Sequence, residues 1–436
     1  MFTRSTWLLG VLILLAIGVL VACGSHYSAS SDGLVLAPTH GMEIIQTYSF
    51  NLSTGHSSAI DNPVTPTGQP SAIVLDPTGA FAYVILTQNS AISGSATGIA
   101  TFKVNSDGTL SSAGMLTLNP VVPTPGAPPV PVVPVALAMD AAGKFLFVAD
   151  TATTDSLGNG VPGTVSVLTI GSGGSLSETA GSPFFVPTVA GGTNPNIIAL
   201  APTPTVFPVL NTATGSLNAT CSQQVVPTTQ YLYVADAANN TVWDFEVDTS
   251  SGALGAPGSD GSPPGAPTAS VPSGVAVDPC NRFVYVANQN SNNVSGYTIC
   301  NGSATSSSTC QAQDGSLVSV GAAVSAGDGP TALAIDPLGN YLYVLGGQAT
   351  VSNPNALFGY RISQVTGTLS ALTPPSVATG TTPVAIAIRS DDNWVFVANY
   401  GSATVSQYTL TPATGALSPS GTGIVTDNFP AGVAVK

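Results

Sequence analysis

The sequence is poor in charge, and in positive charge above all. Only 6% of its 436 residues are charged, and 7 Lys and Arg stand against 21 Asp and Glu. Proteins that bind nucleic acid need clustered positive charge to meet the phosphates, and no basic stretch is present. The sequence therefore predicts no nucleic-acid partner.

Histidine is equally scarce, with His26, His40 and His56 as the three residues of the chain. A serine hydrolase needs a Ser/His/Asp set, so this scarcity argues against one. The five cysteines do not have the spacing of a zinc site, and no histidine lies among them. Neither a cofactor nor a metal site is predicted.

A sustained helical periodicity is missing outside the N-terminus. The chain instead has 47 Gly, 35 Pro and many short apolar runs rich in Val, Ala and Thr. That composition is typical of β-strands joined by tight turns. The apolar content of 44% is too high for a disordered chain.

The one long apolar run lies at the N-terminus, from Trp7 to Ala22. It ends in Leu-Val-Ala-Cys23, which resembles the bacterial lipobox, where the cysteine is acylated and the chain is cut before it. Residues 1–22 are therefore predicted to be a signal peptide, and 23–33 the lipidated cysteine and its tether. An uncleaved membrane anchor is the alternative. Either places the protein at the bacterial cell envelope, held to the membrane and periplasmic or surface-exposed.

Export to an oxidising compartment favours disulfides. Four cysteines remain after Cys23, and they allow three pairings. Cys300 and Cys310 flank a short polar segment and are predicted to bond locally. Cys221 is then left to pair with Cys280.

Seven related segments each begin with proline and continue with two small or variable residues and a short apolar strand. They are PSAIVLD (70–76), PVALAMD (134–140), PNIIALA (195–201), PSGVAVD (272–278), PTALAID (330–336), PVAIAIR (383–389) and PAGVAVK (430–436). An aromatic-Val strand, an alternating strand and a Gly-x-Leu turn follow in most copies. Four short antiparallel strands repeated seven times predict an all-β, seven-bladed β-propeller over residues 34–436. We number the blades in the order of these segments.

The seventh segment stands at the C-terminus without the strands that should follow it. Residues 34–37 and 43–50 have the pattern of the missing second and third strands. Strand 430–436 is therefore predicted to pair with the N-terminal strands 34–50, which closes the ring without an open edge. In the third blade, residues 202–228 are predicted to form a decorated loop clamped by the disulfide of Cys221.

The strands YVAD (233–236), YVAN (285–288) and FVAN (396–399) resemble those of lactonase-type seven-bladed propellers. They equally resemble the YVTN-type repeats of bacterial and archaeal surface proteins. The lactonase resemblance implies 6-phosphogluconolactonase-like activity, with Arg and His after the proline of the first strand and Glu after the second strand. The residues after the prolines are instead Ser71, Val135, Asn196, Ser273, Thr331, Val384 and Ala431. Those after the second strands are Leu86, Asp150, Asp236, Asn288, Leu345 and Asn399.

The polar residues at these positions are the candidate ligand site, and no catalytic residue is assigned. All should gather around the channel mouth: Asp150, Asp236, Asn288, Asn399, Ser71, Asn196, Ser273 and Thr331. Such a ring could hold a neutral polyol, a peptide loop or a calcium ion. Alternatively, the Asp and Asn side chains satisfy the amides of local turns.

Four carboxylates recur at the ends of first strands and are predicted to be turn caps: Asp76, Asp140, Asp278 and Asp336. In blade six, residues 391–393 replace the usual Asp-Pro-x-Gly turn and predict a solvated turn. Trp243, Trp394 and Tyr400 are either stacking platforms for a sugar or packing between blades.

These features predict an exported, lipid-anchored propeller that binds a protein or carbohydrate at the cell envelope without catalysis. A divergent lactonase acting on a sugar or related lactone is the alternative, and a structural subunit of an envelope assembly is a third.

Overall fold

The computed structural model describes residues 32–88, 97–123, 126–189, 191–203, 229–257, 265–300, 315–347, 355–426 and 428–436. Within them, the seven proline-led segments form the first strands of seven antiparallel sheets, which confirms the seven-bladed β-propeller. A short 3-10 turn at Ser172–Gly174 is the only helical segment in this part of the chain. No helix of the described residues is long and apolar enough to cross a membrane.

Blades one to three are continuous in the chain. Blade one contains Gln69–Leu75, Phe81–Thr87, Gly98–Val104 and Leu110–Leu116. Blade two contains Val133–Met139, Phe145–Thr151, Thr164–Ile170 and Leu176–Glu178, with Phe184–Phe185 also paired to its third strand. A small hairpin of Thr153–Thr154 and Gly160–Val161 follows the second strand of blade two. Blade three contains Ile197–Pro202, Gln230–Asp236, Thr241–Val247 and Ala266–Pro267.

Blades four to six follow the same order. Blade four contains Pro272–Val277, Phe283–Asn288, Asn293–Ile299, Leu317–Ser319 and Val324–Ser325. Blade five contains Pro330–Ile335, Tyr341–Gly346, Ala356–Ile362 and Leu369–Ala378. Blade six contains Pro383–Ile388, Trp394–Asn399, Thr404–Thr411, Ala416–Pro419 and Ile424–Val425.

Blade seven is assembled from both ends of the described chain. Asp32–His40 pairs on one edge with Ile44–Asn51, beyond which Ser57–Ala59 is the outer strand. On its other edge it pairs with Phe429–Pro430 and Ala434–Val435. The predicted closure of the ring by the C-terminal strand is confirmed.

Hydrophobic side chains fill the spaces between neighbouring blades. Each second strand has neighbours on both faces, so Phe283–Asn288 and Trp394–Asn399 are buried along their whole length. The aromatic residue of the aromatic-Val strand also links blades through its hydroxyl group. Tyrosine hydroxyls donate to glycine carbonyls of the next blade at 2.7 Å, from Tyr233 to Gly315, from Tyr285 to Gly367 and from Tyr343 to Gly415.

The aromatic residue that opens the second strand of the preceding blade explains the glycine of the Gly-x-Leu turn. Gly367 has a φ of 72°, and a Cβ there would lie 2.4 Å from the Phe283 ring of the preceding blade. Gly415 has a φ of 74° and meets Tyr341 at the same distance. Glycine is required at these turns because both the backbone conformation and the neighbouring ring exclude a side chain.

The strands give the ring two faces. At the face we call the mouth face, first strands begin with their prolines and second strands end. The opposite face, which we call the far face, carries the turns between first and second strands. All six Lys and Arg of the described residues lie at the far face: Lys103, Lys144, Arg282, Arg361, Arg389 and Lys436.

The turn at 391–393 departs from its prediction. It was expected to be solvated, but the Asp392 side chain is only 4% exposed. Its turn packs against blade five.

Several predictions concern residues outside the described ranges. The signal peptide, Cys23, the tether and most of the insertion 202–228 lie there, and so do Cys221 and Cys310. Cys280 and Cys300 are buried, and neither is a free thiol. The predicted disulfide pairing stays a prediction.

Candidate active site at the channel mouth

First strands carry a β-bulge close to their proline. In blade four the register shifts between Pro272 and Gly274, so Ser273 is the extra residue, and blade five has the same shift around Thr331. The Ser273 hydroxyl donates to the carbonyl of the proline that opens the next blade, at 2.6 Å. The Thr331 hydroxyl does the same at 3.1 Å. These two predicted site residues bridge neighbouring blades.

The side chain of Asp236 is surrounded by donors. It accepts hydrogen bonds from the backbone nitrogen atoms of Asn196 at 2.9 Å and Ala238 at 3.1 Å. The side-chain amide of Asn239 donates to it at 2.7 Å. The side-chain oxygen of Asn196, Oδ1, in turn accepts from the Thr151 hydroxyl of blade two. Asp236 and Asn196 thus hold the mouth ends of blades two and three together.

The side chain of Asn288 is fully buried and is hydrogen-bonded at both ends of its amide group. Its amide nitrogen donates to Asn293 Oδ1 at 2.9 Å and to Ser295 Oγ at 3.0 Å, and its oxygen accepts from the Thr268 hydroxyl at 2.7 Å.

Asn399 of blade six is bonded in the same way. It donates to Thr404 Oγ1 at 3.1 Å and to Ser406 Oγ at 2.9 Å. Its oxygen accepts from the Gly380 backbone at 3.1 Å. Asn288 and Asn399 therefore use both ends of their amide groups, the nitrogen within their own blade and the oxygen towards the segment that arrives from the preceding blade.

Asp150 differs from its equivalents. Its Oδ2 accepts from Ser166 Oγ at 2.7 Å and Thr164 Oγ1 at 3.3 Å, but its buried Oδ1 has no partner. Burial raises the pKa of Asp150 to about 7, against the lowering effect of the two hydroxyl groups, and the charge of Glu178 adds to the rise. At neutral pH a large share of these carboxyl groups is protonated, so Asp150 can donate a hydrogen bond.

The direction of Asp150 follows from strand alternation. Leu146 and Val148 precede it on the same face of the strand, and both pack against blade one. Asp150 therefore faces blade one as well.

The structure adds a histidine to the mouth face. His40 ends the strand Asp32–His40, the second strand of blade seven, and is half-buried. Its ring meets Tyr400 edge-on, with centroids 5.6 Å apart, and Tyr400 stacks on Phe429 at 5.1 Å. The sequence comparison of second-strand ends covered six blades and left out the split one. In blade seven the equivalent position is Thr39, because Thr39 pairs with Pro430 as Asp150 pairs with Pro134, and His40 stands one residue further along.

The His40 ring is set up as a base. Its Nε2 is buried and has no hydrogen-bond partner, while the ring is hydrogen-bonded to the backbone carbonyl of Pro70. That bond must leave from Nδ1, so Nε2 carries the free lone pair. Burial lowers the pKa of His40 from its ordinary value of 6.5, and the bond to Pro70 opposes this shift. The imidazole is therefore neutral at pH 7.

Ser71 directly follows Pro70, and its hydroxyl oxygen is also buried without a partner. The equivalent hydroxyls of Ser273 and Thr331 are bonded to the next blade, so Ser71 is unusual among them.

Three consecutive blades thus each place an unpartnered polar atom at the mouth face. They are His40 Nε2 in blade seven, Ser71 Oγ in blade one and Asp150 Oδ1 in blade two. Buried polar atoms without partners are rare in folded proteins and are often found where a ligand or water binds. We call His40, Ser71 and Asp150 the mouth sector.

Among the three aromatic candidates, Tyr400 lies beside this sector. Trp243 and Trp394 are 1% and 6% exposed and belong to hydrophobic clusters between blades. Tyr400 is half-buried, and its stacking partner Phe429 is 43% exposed. Together they form an aromatic wall next to His40.

Comparison with known proteins supports the likeness inferred from the repeats. The sequence profile of a family described as "Lactonase, 7-bladed beta-propeller" matches residues 202–309 and 294–430, together more than half of the chain. No curated protein matches the chain in sequence.

Solved structures of similar fold include a 6-phosphogluconolactonase-like protein of Bacteroides fragilis. It is 18% identical, with a TM-score of 0.66 over 94% of this chain and 99% of that chain. The periplasmic gluconolactonase of Pseudomonas aeruginosa is 17% identical, with a TM-score of 0.65 over 93% and 99% of the two chains. At these identities the likeness shows a shared fold.

Proposed function

Since the chain belongs to the lactonase family of seven-bladed β-propellers, we propose that it hydrolyses an uncharged lactone at the mouth sector. The observation that carries this proposal is the unpartnered Nε2 of His40, whose ring is hydrogen-bonded to the carbonyl of Pro70, the residue before the unpartnered Ser71. The sequence alone favoured binding without catalysis, because no histidine was found among the residues expected at the mouth. His40 supplies the base that this argument lacked.

The reaction needs a base for water and a donor for the developing oxyanion. His40 Nε2 takes a proton from water as the water oxygen bonds to the lactone carbonyl carbon. The Ser71 hydroxyl and protonated Asp150 donate hydrogen bonds to the negative oxygen of the tetrahedral intermediate. When the ring C–O bond breaks, the imidazolium returns the proton to the leaving alkoxide, and the product is a hydroxy acid.

The charge distribution supports an uncharged substrate. Recognition of a phosphate group normally uses Arg or Lys. All Lys and Arg of the described residues lie at the far face, whereas the mouth sector contains a carboxyl group. A phosphorylated lactone would therefore meet no cation at this site.

The test is lactone hydrolysis by the full-length protein in detergent, assayed with glucono-1,5-lactone, other uncharged lactones and 6-phosphogluconolactone. His40→Asn keeps a donor towards Pro70 but removes the base, and should lower kcat by about 10²- to 10⁴-fold. His56→Asn is the matched control, because His56 is exposed and lies in a far-face turn. Its kcat should equal that of the wild type.

Two results would overturn the proposal. One is hydrolysis no faster than the spontaneous reaction with every lactone. The other is enzymatic hydrolysis that His40→Asn leaves unchanged. A preference for the phosphorylated lactone would refute only the argument that the substrate is uncharged.

A second candidate is a binding module without turnover, for which the aromatic wall is the supporting observation. Phe429 and Met42 are 43% and 54% exposed at the mouth face. Stacked aromatic side chains suit the apolar faces of sugar rings. This candidate predicts that carbohydrates quench tyrosine fluorescence in the wild type and lose that effect in Tyr400→Ala, while no lactone is hydrolysed.

The cellular location is part of the proposal. The lipobox-like sequence ending in Cys23 supports export and anchoring to a membrane by acylation. Wild-type protein should then fractionate with membranes, and Cys23→Ala should abolish labelling by a fatty-acid analogue. Labelling that persists in this variant would contradict the anchor.

A further inference from the structure

At the far face, the turn of one blade rests on the aspartate that ends the first strand of the preceding blade. The clearest case is the turn of blade five, where a Cβ added to Gly339 would lie 2.4 Å from Asp278 Oδ1 of blade four. Blade six has the same turn, closed by a backbone hydrogen bond from Asp392 to Arg389, as Gly339 bonds to Asp336. Asp392 stands at the position of Gly339. Its side chain is thus directed towards Asp336 of blade five.

Other properties of Asp392 agree with this placement. Its φ is 58°, in the region that the glycines of the equivalent turns adopt. Burial and the charge of Asp336 together raise the pKa of Asp392 to about 7, with a smaller contribution from Asp391. The charges of Asp336 and Asp392 also help to raise the pKa of the Tyr341 and Tyr343 hydroxyl groups, so both carboxyl groups lie near these tyrosines.

The two carboxyl groups leave three oxygen atoms without partners. Asp392 is 4% exposed, and neither of its carboxylate oxygens has a hydrogen-bond partner. Asp336 is fully buried, and its Oδ1 accepts from the backbone of Asn340 and Tyr341, both at 2.6 Å. Its Oδ2 has no partner.

The equivalent aspartates of other blades do have partners nearby. Arg282 binds Asp278 at 2.7 Å, and the charge of Lys144 acts on Asp140. In blade six the available cation, Arg389, is paired with Asp391. Asp336 therefore faces a second carboxylate, whereas Asp278 and Asp140 each have a cation nearby.

We propose that Asp336 and Asp392 bind a calcium ion between blades five and six. A carboxylate at a position that is glycine in blades one, two and five adds backbone strain and like-charge repulsion, and a bound cation offsets the repulsion. Calcium accepts carboxylate, carbonyl and water oxygens in variable geometry, which suits a site of two carboxylates. No three His, Cys, Asp or Glu side chains gather in the described residues, so carbonyls or waters complete the shell.

The first test uses terbium, which substitutes for calcium and is excited through nearby tyrosines. Full-length protein at pH 8, where both carboxyl groups can ionise, is titrated with terbium and then with calcium chloride. We expect sensitised luminescence that calcium displaces at about 10⁻⁴–10⁻³ M, the range of weak extracellular sites. Asp392→Gly restores the glycine found in the other turns. It should weaken the affinity for calcium, measured by displacement of terbium, by at least about 10-fold. Asp107→Asn removes one negative charge from an exposed turn of blade one and is the matched control, because it leaves the pairing of Arg389 with Asp391 intact.

Thermal unfolding gives an independent result. Calcium at 10 mM should raise the Tm of the wild type and of Asp107→Asn above that in EDTA, because a ligand bound only by the folded state stabilises it. Asp392→Gly should show no calcium-dependent shift. The proposal is overturned if calcium leaves the wild-type Tm unchanged, or if Asp392→Gly responds as the wild type does. The pair would then share a proton instead.

Discussion

Tyr83 and Tyr285 occupy the same position in blades one and four, yet their hydroxyl groups differ in bonding. The Tyr285 hydroxyl donates to Gly367 at 2.7 Å, whereas that of Tyr83 is buried without a partner. A repeat fixes which residue type is used at a position. The neighbouring blade decides whether its polar atom is bonded.

This difference gives a matched pair of variants. Tyr285→Phe should lower the free energy of unfolding by about 1–1.5 kcal/mol, because the variant removes a buried hydrogen bond and leaves the Gly367 carbonyl without it. Tyr83→Phe should be neutral or slightly stabilising, since it removes an unpartnered hydroxyl. Urea unfolding of both variants checks this, and equal losses would contradict it.

The carboxyl group of Asp150 makes stability depend on pH. Its pKa of about 7 in the folded protein exceeds the value near 3.9 of an unfolded chain. The stability it contributes is complete below pH 3.9 and is lost as the pH rises through 7. Asp150→Asn should therefore stabilise the protein increasingly from pH 4.5 to 8.5, by about 1–3 kcal/mol at the upper end.

Thermal unfolding at the two pH values measures this effect. The control is Asp155→Asn in an exposed turn, where hydrogen bonds from Asn159 lower the pKa of Asp155. The effect of this carboxyl group on stability then has the opposite dependence on pH, so Asp155→Asn should not raise the free energy of unfolding at pH 8.5. A stabilisation of Asp150→Asn that is independent of pH would show that its carboxyl group is not strained by burial.

At the scale of strands and turns, much of the structure could be predicted from the sequence. The proline, the apolar strand and the aromatic-Val strand recur in order. Because their spacing is nearly constant, few other arrangements of strands fit the sequence. The bulges at Ser273 and Thr331 could not be predicted, because they depend on contacts between first strands of different blades. His40 and Asp392 were missed for related reasons, since the importance of each comes from a neighbouring blade.

Two glycines in turns allow a test at this scale, Gly367 of a Gly-x-Leu turn and Gly421 of the turn between Ala416–Pro419 and Ile424–Val425. Gly367 and Gly421 both have a positive φ, of 72° and 65°, but only Gly367 has a neighbouring ring within reach of a Cβ. Alanine adds backbone strain at both positions and a clash with Phe283 at the first alone. Gly367→Ala should cost about 1–3 kcal/mol more than Gly421→Ala in chemical unfolding. Equal costs would mean that the blade spacing adapts freely.

At the scale of the whole molecule, the ring is held closed by backbone pairing in blade seven. Val433 and Ala434 are 6% and 7% exposed, and Leu34 exchanges two backbone hydrogen bonds with Lys436. Removing residues 429–436 uncovers the edge of Asp32–His40 and the apolar contacts beneath it. The loss should be at least about 5 kcal/mol, from lost burial and several backbone bonds together.

Calorimetry of the truncated protein measures this loss. Lys436→Ala is the control, because the Lys436 side chain is exposed and makes one hydrogen bond, to the Gly79 carbonyl, which is only partly buried. The control should unfold close to the wild type. A truncated chain with wild-type stability would show that the ring does not depend on its closing strand.

Blade seven also sets the order of events during biosynthesis. Its strand Asp32–His40 is made early, but the partner strands Phe429–Pro430 and Ala434–Val435 are made almost 400 residues later. At about 5–20 residues per second, the early strand waits on the order of 20–80 s with one edge unpaired. During synthesis that edge is open to pairing with other chains, so a cell that makes this protein needs to shield its N-terminal strands until the last ones emerge.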